Sequence, residues 1–117
     1  MQDKKEIETL AAEFESCQKI LTALGDEVRQ HIIEQMMLHM EDSRGMRVPE
    51  RTELTHLSRP AVSHHLQILK DAGIVNVNRV GTMNFYHFAP KNSIDKLISV
   101  LQHANGMIKS IPDAGDE

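Results

Sequence analysis

One stretch of this 117-residue chain, LSRPAVSHHLQILKDAGIV at positions 57–75, constrains the fold more than any other. Ser58 is a favoured N-cap residue, and Pro60 is tolerated in the first turn of a helix. Gly73 suits the left-handed residue that follows a helix and ends it. The stretch therefore predicts a helix over about residues 59–72, with a defined start and a defined end.

Two extended runs follow this helix, IVNVNRV and MNFYHF, and both are rich in β-branched or aromatic residues. Gly81 and Thr82 lie between the runs, and a two-residue loop with glycine first suits a type II′ hairpin turn. The sequence therefore predicts a β-hairpin formed by residues 74–80 and 83–88.

Before that stretch the chain has an apolar seam of the heptad type. Its members are alternately three and four residues apart, which predicts one long helix over about residues 4–24. Such a seam suits contact between two subunits, and the alternative is that it covers the core of its own domain. The seam consists of Ile7, Leu10, Phe14, Cys17, Leu21 and Leu24.

Weaker signals indicate two further helices between the seam and the central stretch. Asp26 is a plausible N-cap for a helix over about residues 27–40, and Pro49 suits the first turn of a short helix through about residue 54. A short extended piece is expected at residues 46–48. The helix after Asp26 is predicted to bury Val28, Ile32, Ile33, Met36 and Met37.

Ser93 is expected to cap a last helix over about residues 94–110, and residues 112–117 are predicted to be a disordered tail. The order of elements is then helix, helix, short helix, helix, hairpin, helix. Two helices joined by a tight turn and followed by a two-stranded wing form a winged helix-turn-helix. We therefore predict one domain over residues 1–111, mainly α with a small β-hairpin.

The charge of the chain is distributed unevenly. The formal net charge is −4, but residues 43–91 carry seven Lys/Arg against three Asp/Glu, whereas residues 1–42 carry four against ten. A local basic segment matters more for DNA binding than the net charge of the whole chain. Together with the predicted helix-turn-helix and wing, this distribution indicates a protein that reads double-stranded DNA. The alternative is that the basic segment is an ordinary solvated surface.

Composition also indicates a cytoplasmic protein without membrane contact. No apolar run approaches the roughly 20 residues of a membrane helix, and the charged first segment does not resemble a signal peptide. The single cysteine, Cys17, cannot form a disulfide within the chain.

The predicted helix over residues 59–72 has two distinct faces on a helical wheel. Val62, Leu66 and Leu69 face the core, and His65 at the edge of that stripe is expected to pack and hydrogen-bond inside the domain. The outer face and the wing tip carry groups that suit contacts with bases or phosphates, although a polar surface or a solvated hairpin tip is the alternative. The predicted DNA-contacting residues are Arg59, Ser63, His64, Gln67, Arg79 and Thr82.

The segment LTALGDEVRQHIIEQM resembles the family pattern ALxDxxRxxIL, and positions 57–75 resemble LSQPxVSxHLxxLxxAGLV followed by a wing. On these motifs the chain is similar to the ArsR-type (arsenical-resistance repressor) family of winged-helix regulators. The resemblance implies a homodimer joined through the first and last helices, which binds an inverted-repeat operator and blocks transcription until a ligand releases it. The implied dimer-interface residues are Ile7, Leu10, Phe14, Cys17, Leu97 and Leu101.

The metal-site motifs that are common in this family are missing from the chain. Where a Cys-Val-Cys motif is expected, the sequence has Arg47, Val48 and Pro49, and neither Arg nor Pro ligates a metal. On the last helix, Asp95 is followed by Leu97 where the resemblance requires a histidine. We therefore predict no metal and no cofactor, and the sequence does not identify an inducer. A metal-responsive repressor with a nonstandard histidine site is the alternative.

Other classes of function receive less support from the residues. No Gly-rich phosphate loop and no HExxH motif is present, so an enzyme is not indicated. A winged helix used only for protein–protein contact would have an apolar outer face, whereas this face carries Arg59, His64 and Gln67. Cys17 is expected to be a small buried thiol, with a disulfide across a dimer axis as the alternative.

Overall fold

A computed structural model describes residues 4–39, 45–47 and 56–112 of the chain. The short helix predicted over residues 49–54 and residues 113–117 of the predicted tail lie outside these ranges, and the domain boundary at residue 111 stays a prediction. The described part is mainly α with a small antiparallel sheet, which confirms the predicted fold class. Its elements are α1 (Lys4–Glu15), α2 (Gln18–Leu24), α3 (Glu27–Leu38), β1 (Met46–Arg47), α4 (Arg59–Asp71), β2 (Val75–Val80), β3 (Met83–Phe88) and α5 (Ile94–Lys109).

The prediction of one helix over residues 4–24 is wrong, because the chain is broken into α1 and α2 at Ser16 and Cys17. The Ser16 hydroxyl donates to Glu13 O at 2.6 Å, and Cys17 N donates to Phe14 O in a tightened turn. A serine that bonds to the preceding turn competes with the hydrogen-bond ladder of the helix. The heptad seam is therefore divided between two helices.

The two parts of the divided seam have different surroundings. Ile20 and Ala23 of α2 are buried, and Cys17 just before them is a fully buried free thiol, as predicted. In contrast, α1 has no buried residue. The part of the seam on α2 covers the core of its own domain, whereas on α1 Leu10 packs against the core and Ile7 and Phe14 are about half exposed.

The hydrophobic core lies where α2, α3 and α4 meet the sheet. Val62, Leu66 and Leu69, the predicted inner face of α4, are fully buried. Both predicted ends of α4 are also confirmed, since Ser58 Oγ accepts a backbone hydrogen bond at 3.3 Å and Gly73 has a φ of 78°. Local end signals and an apolar stripe thus fix the length and the orientation of this helix.

The buried face of α3 differs from the prediction at one edge. Its buried residues are Arg29, Ile32 and Met36, whereas Met37 is 58% exposed. The buried residues lie at positions i, i+3 and i+7, so the next position along the chain turns towards solvent. The centre of the stripe is shifted because a charged residue, Arg29, takes a place in the core.

The hairpin has the predicted strands and the predicted turn. Val80 lies opposite Met83 beside the turn, and the pairing continues to Val75 opposite Phe88. Gly81 has a φ of 64°, whereas Thr82 does not lie in the left-handed region. This combination is typical of a type II′ turn.

A third strand extends the hairpin to a sheet with the order β1-β3-β2. The extended piece expected at residues 46–48 is confirmed over the two residues of β1, and Arg47 pairs with Phe85 of β3. Because β1 precedes α4 in the chain, this pairing brings a residue from well before the central stretch to the wing.

The last helix has the predicted bounds to within one residue, and Ser93 is its N-cap residue as predicted, but without the expected side-chain hydrogen bond. The Ser93 side chain makes no cap hydrogen bond, and Asn92 Oδ1 instead accepts from Ile94 N at 3.0 Å. α5 packs against α1, so the first and last helices of the described chain lie side by side.

Candidate nucleic-acid interface

The outer face of α4 is polar and accessible. Arg59, His64 and Gln67 are exposed, and Ser63 is half-buried at the flank of the helix. The inner face is anchored by three leucine or valine side chains without exposed surface, so the outer face is held at a fixed rotation. A helix with one buried stripe and one polar stripe is suited to lie in a groove of DNA.

The wing meets the N-terminus of α4 at a polar cleft of about 110 Å³, which we call the basic cleft. Arg59 and Ser63 of α4 and Thr82 of the hairpin turn line it, so three of the six predicted contacts lie together. The complete lining is Arg47, Arg59, Ser63, Thr82, Met83, Asn84 and Tyr86.

The other three predicted contacts lie outside the basic cleft. Gln67 Nε2 donates to Asp71 Oδ1 at 2.9 Å, one turn further along α4. Arg79 Nε donates to Gly81 O at 3.1 Å at the wing tip, and its strand position is directly opposite Asn84. His64 is exposed on the outer face of α4.

Arg47 is a candidate DNA contact that the sequence motifs do not indicate. It enters the basic cleft because β1 pairs with β3, a pairing between residues far apart in the chain. Its guanidinium carbon lies 5.9 Å from the centre of the Phe85 ring, which is within the range of a cation–π contact. Its place in a basic segment is the only sequence signal that could have indicated this role.

His65 packs and hydrogen-bonds inside the domain, as predicted. Its Nδ1 lies 3.1 Å from Arg29 Nη1, and its side chain is half-buried on the inner side of α4. Because a guanidinium only donates, Nδ1 is the acceptor in this contact and the ring proton lies on Nε2. The two adjacent histidines of α4 therefore have different surroundings, one internal and one exposed.

Arg29 joins α4 to the preceding helices. It is 8% exposed, its Nε donates to Ala23 O at 2.8 Å, and its Nη2 donates to Thr22 O at 3.1 Å. Its backbone N also donates to Asp26 Oδ2 at 3.0 Å, and this bond is the main cause of a lowered pKa of the Asp26 carboxyl. The guanidinium thus ties the end of α2, the start of α3 and the inner edge of α4 together.

The residues predicted for a dimer interface fall into two groups. Ile7, Phe14 and Leu101 are between 46% and 47% exposed on α1 and α5, and Leu10 is half-buried. Cys17 and Leu97 are buried within the chain's own core. An apolar groove of about 490 Å³, lined in part by Ile98, Leu101 and Ile108, runs along α5.

The cysteine and histidine side chains form no ligand cluster in the ranges that the structure describes. No group of three or more His, Cys, Asp or Glu residues there is arranged to hold a metal ion. Within the same ranges, no helix is long and apolar enough to cross a membrane. The fully buried Cys17 thiol is not presented at the surface, where a disulfide between two copies would require it.

Sequence comparison relates the chain to known regulators. The profile of the arsR family of bacterial regulatory proteins matches residues 26–77. An HTH-type transcriptional regulator of Methanocaldococcus jannaschii is 35% identical over 74 residues, which cover 63% of this chain and 79% of that protein. The HTH-type transcriptional repressor SmtB of Mycobacterium tuberculosis is 33% identical over 86 residues, covering 74% of this chain and 60% of that protein.

Structural comparison supports the same assignment at the level of the fold. The crystal structure of an ArsR family transcriptional regulator has a TM-score of 0.66 at 17% identity, covering 95% of this chain and 98% of that one. HlyU from Vibrio cholerae has a TM-score of 0.56 at 22% identity, covering 88% and 97%. The winged helix-turn-helix, the family profile and the similarity to the archaeal regulator agree, and the chain belongs to the arsR family of bacterial regulatory proteins, which are transcriptional regulators and not enzymes.

Proposed function

We propose that this chain is a homodimeric repressor that binds an inverted-repeat operator in double-stranded DNA through α4 and the wing. The observation that carries the proposal is the polar outer face of α4, which meets the wing at the basic cleft. A helix that reads the major groove needs donors and acceptors on that face. A module for protein–protein contact alone would instead need an apolar face there.

Each proposed contact has a chemical role on DNA. Arg59 is suited to donate two hydrogen bonds to a guanine, and Gln67 to pair with an adenine after releasing Asp71. Ser63 and His64, which lie between Arg59 and Gln67 in the sequence, contact base edges or phosphates. Arg79 and Thr82 at the wing meet the flanking backbone or the minor groove.

A second copy of the chain is proposed to cover α1 and α5. The half-exposed Ile7, Phe14 and Leu101 and the groove along α5 supply an apolar surface of the kind that marks an interface. A two-fold dimer presents two copies of α4, which suit half-sites about one helical turn, or 34–36 Å, apart. An inverted repeat in the operator follows from that symmetry.

Repression and cytoplasmic location complete the proposal. The mycobacterial relative is a transcriptional repressor, and a dimer seated on an operator blocks polymerase by occupying the same DNA. Arg47 and Arg59 of the basic segment line the proposed DNA surface, whereas Glu6 and Glu13 of α1 contact His103 of α5, in the part of the molecule proposed to form the dimer.

The test begins with a selection of bound duplexes from a random-sequence library, followed by fluorescence anisotropy. The selected duplex is compared with a scrambled duplex of the same composition over a series of salt concentrations. We expect the selected duplex to bind on the order of a thousandfold more tightly than the scrambled one. Weak binding that is equal on both duplexes and vanishes with salt would contradict the proposal.

Replacement of Arg59 sharpens this test. Arg59→Ala is expected to reduce operator affinity by roughly tenfold or more and to relax the preference at one base pair, because a bidentate contact to guanine is lost. Lys109→Ala, which removes a basic residue from the end of α5, is the matched control and should leave binding unchanged. Unchanged affinity of Arg59→Ala at moderate salt would mean that Arg59 does not contact the DNA.

A further inference from the structure

We propose that the basic cleft binds one phosphate of the DNA backbone and that Arg47 of β1 is a ligand of that phosphate. This inference rests on the proposed function, since it names a site within the DNA-binding surface. It adds a residue from outside the helix-turn-helix and wing motifs to that surface. It also gives one phosphate simultaneous contact with β1, α4 and the wing.

The lining of the basic cleft has the chemistry of an oxyanion site. Two guanidiniums, Arg47 and Arg59, line it from different elements, and Ser63 and Thr82 add hydroxyl donors. Arg59, whose paired donors are proposed to contact a guanine, contributes positive charge to the cleft, and Arg47 is its proposed bidentate ligand for phosphate. The Asn84 amide is a further donor. Among the residues that the structure describes, neither an aspartate nor a glutamate lines the cleft, so the charge of the described lining is positive.

The size of the basic cleft suits a small anion. Its volume of about 110 Å³ leaves room for the oxygens of one phosphate group. A cleft at the meeting point of a recognition helix and a wing is also where the backbone of a bound duplex passes.

Arg47 is held in place by an aromatic contact that leaves its donors available. Its guanidinium lies over the Phe85 ring, with 5.9 Å between the guanidinium carbon and the ring centre. A cation–π contact uses no hydrogen bond of the guanidinium, so its N–H groups remain available to a phosphate. In the described ranges neither Arg47 nor Arg59 forms an ion pair with a carboxylate.

Through this phosphate contact, Arg47 would help to set the position of the protein on the DNA duplex. Phosphate contacts set the register and the depth of a protein on the duplex, whereas base contacts carry sequence information. A phosphate that is bound by β1, the start of α4 and the wing at once fixes how far α4 enters the groove. The position at which the family resemblance expects the first metal-binding cysteine would then serve DNA binding in this chain.

The test measures anisotropy of the full chain on the selected and scrambled duplexes over a salt series. Arg47→Ala is expected to weaken binding to both duplexes by a similar factor, roughly tenfold at moderate salt, and to reduce the salt slope by about one. Arg47→Lys keeps the charge and should restore the slope while recovering only part of the affinity. Lys109→Ala is the matched control and should change neither quantity.

A second measurement uses DNA that carries one uncharged methylphosphonate at a time along the selected duplex. Wild-type protein is expected to lose affinity at each contacted position, and Arg47→Ala should lose clearly less than wild type at the one position that Arg47 contacts, because only the other lining residues still contact that phosphate. This readout also separates phosphate binding from packing on Phe85, since a packing defect lowers the melting temperature without removing sensitivity at one phosphate.

The outcomes distinguish this inference from the proposed function. If wild-type protein binds the selected duplex but Arg47→Ala retains the full salt slope and the full methylphosphonate pattern, the phosphate site is wrong and the repressor proposal stands. If wild-type protein binds neither duplex, both are wrong. Addition of inorganic phosphate at constant ionic strength should not displace the duplex, and displacement by millimolar phosphate would instead assign the cleft to a free anion.

Discussion

The part of the molecule that presents α4 and the part formed by α1 and α5 bury their apolar residues in different ways. Around α4, Val62, Leu66 and Leu69 are fully enclosed by the chain itself. On α1 and α5, Ile7, Phe14 and Leu101 remain about half exposed. The first part is complete within one subunit, whereas the second is an apolar surface that a further copy of the chain is proposed to cover.

This difference explains why the heptad seam allowed two interpretations. Its C-terminal members lie on or next to α2 and pack into the subunit, whereas on α1 only Leu10 packs against the core and Ile7 and Phe14 are about half exposed. A break at Ser16 and Cys17 separates the two uses. One sequence pattern therefore serves the core of the subunit at one end and an open surface at the other.

The largest effect on stability is expected when a fully buried side chain near α4 is shortened. The same substitution at an exposed leucine of α5 shows whether the two parts of the molecule differ. Leu66→Ala should lower the free energy of unfolding by about 2–5 kcal/mol, because it leaves a cavity in a packed core. Leu101→Ala should change it by only about 0.5 kcal/mol in dilute protein, where the side chain is exposed. Urea unfolding at two protein concentrations measures both values.

Concentration dependence provides the control for this pair. If a second copy covers α5, the loss caused by Leu101→Ala grows with protein concentration, whereas the loss caused by Leu66→Ala does not. If Leu66→Ala and Leu101→Ala lose the same free energy of unfolding at low protein concentration, the two leucines are equally enclosed within one subunit.

The next largest effect concerns the link between α4 and the helices before it. Arg29→Met keeps the length of the side chain but removes the donors to Ala23 O, Thr22 O and His65 Nδ1. Buried acceptors without donors are costly, so we expect a loss of about 2 kcal/mol in the free energy of unfolding. Arg79→Met, at the exposed wing tip, is the matched control and should cost within about 0.5 kcal/mol.

Both variants are compared by their midpoints of urea unfolding. A loss for Arg29→Met that is no larger than that of the control would show that the guanidinium does not hold α4 in place. Arg29 contacts His65 of α4 and does not belong to the proposed DNA surface. Its replacement should nevertheless weaken operator binding, because the position of α4 changes.

The smallest effect is a dependence of the α1–α5 contact on pH. His103 Nε2 of α5 lies 3.2 Å from Glu6 Oε1, and its Nδ1 lies 3.6 Å from Glu13 Oε2, with both carboxylates on α1. The hydrogen bond to Glu6, supported by Glu13, raises the pKa of His103 above its ordinary value of 6.5. The contact is therefore fully stabilising below about pH 6.5 and is lost as pH rises through the higher pKa of the folded state.

Melting temperatures of wild type and His103→Gln test this dependence. The wild type should be the more stable protein at pH 6, and the difference should shrink towards zero at pH 8.5. His64→Gln, which removes the exposed imidazole of α4, controls for the loss of a histidine elsewhere. A difference that is constant over this range would exclude a charged His103 from the contact.

Much of the DNA-reading part follows from the sequence because its signals are local. Ser58 and Gly73 mark the ends of α4, and Gly81 marks the turn of the hairpin, all within a few residues of the element they define. The alternation of buried and exposed positions on α4 follows from helical spacing. These features depend on neighbours in the chain, so no tertiary information is needed to predict them.

The features that the sequence did not predict depend on contacts between distant residues. Arg29 and His65 are 36 positions apart, and no periodic pattern places a buried arginine beneath α4. Arg47 reaches the basic cleft only through its pairing with Phe85. The break before α2 is local, but Ser16 lies at a position where the apolar seam continues on both sides, so the period concealed it.

The most direct test of the account is the affinity of wild-type protein for a full inverted repeat and for a duplex of equal length with one half-site scrambled. Anisotropy gives the affinities, and sedimentation velocity gives the number of subunits on each duplex. We expect two subunits on the full repeat and an affinity at least a hundredfold higher than on the single half-site, because two linked copies of α4 engage together. One subunit on each duplex with equal affinities would contradict this expectation.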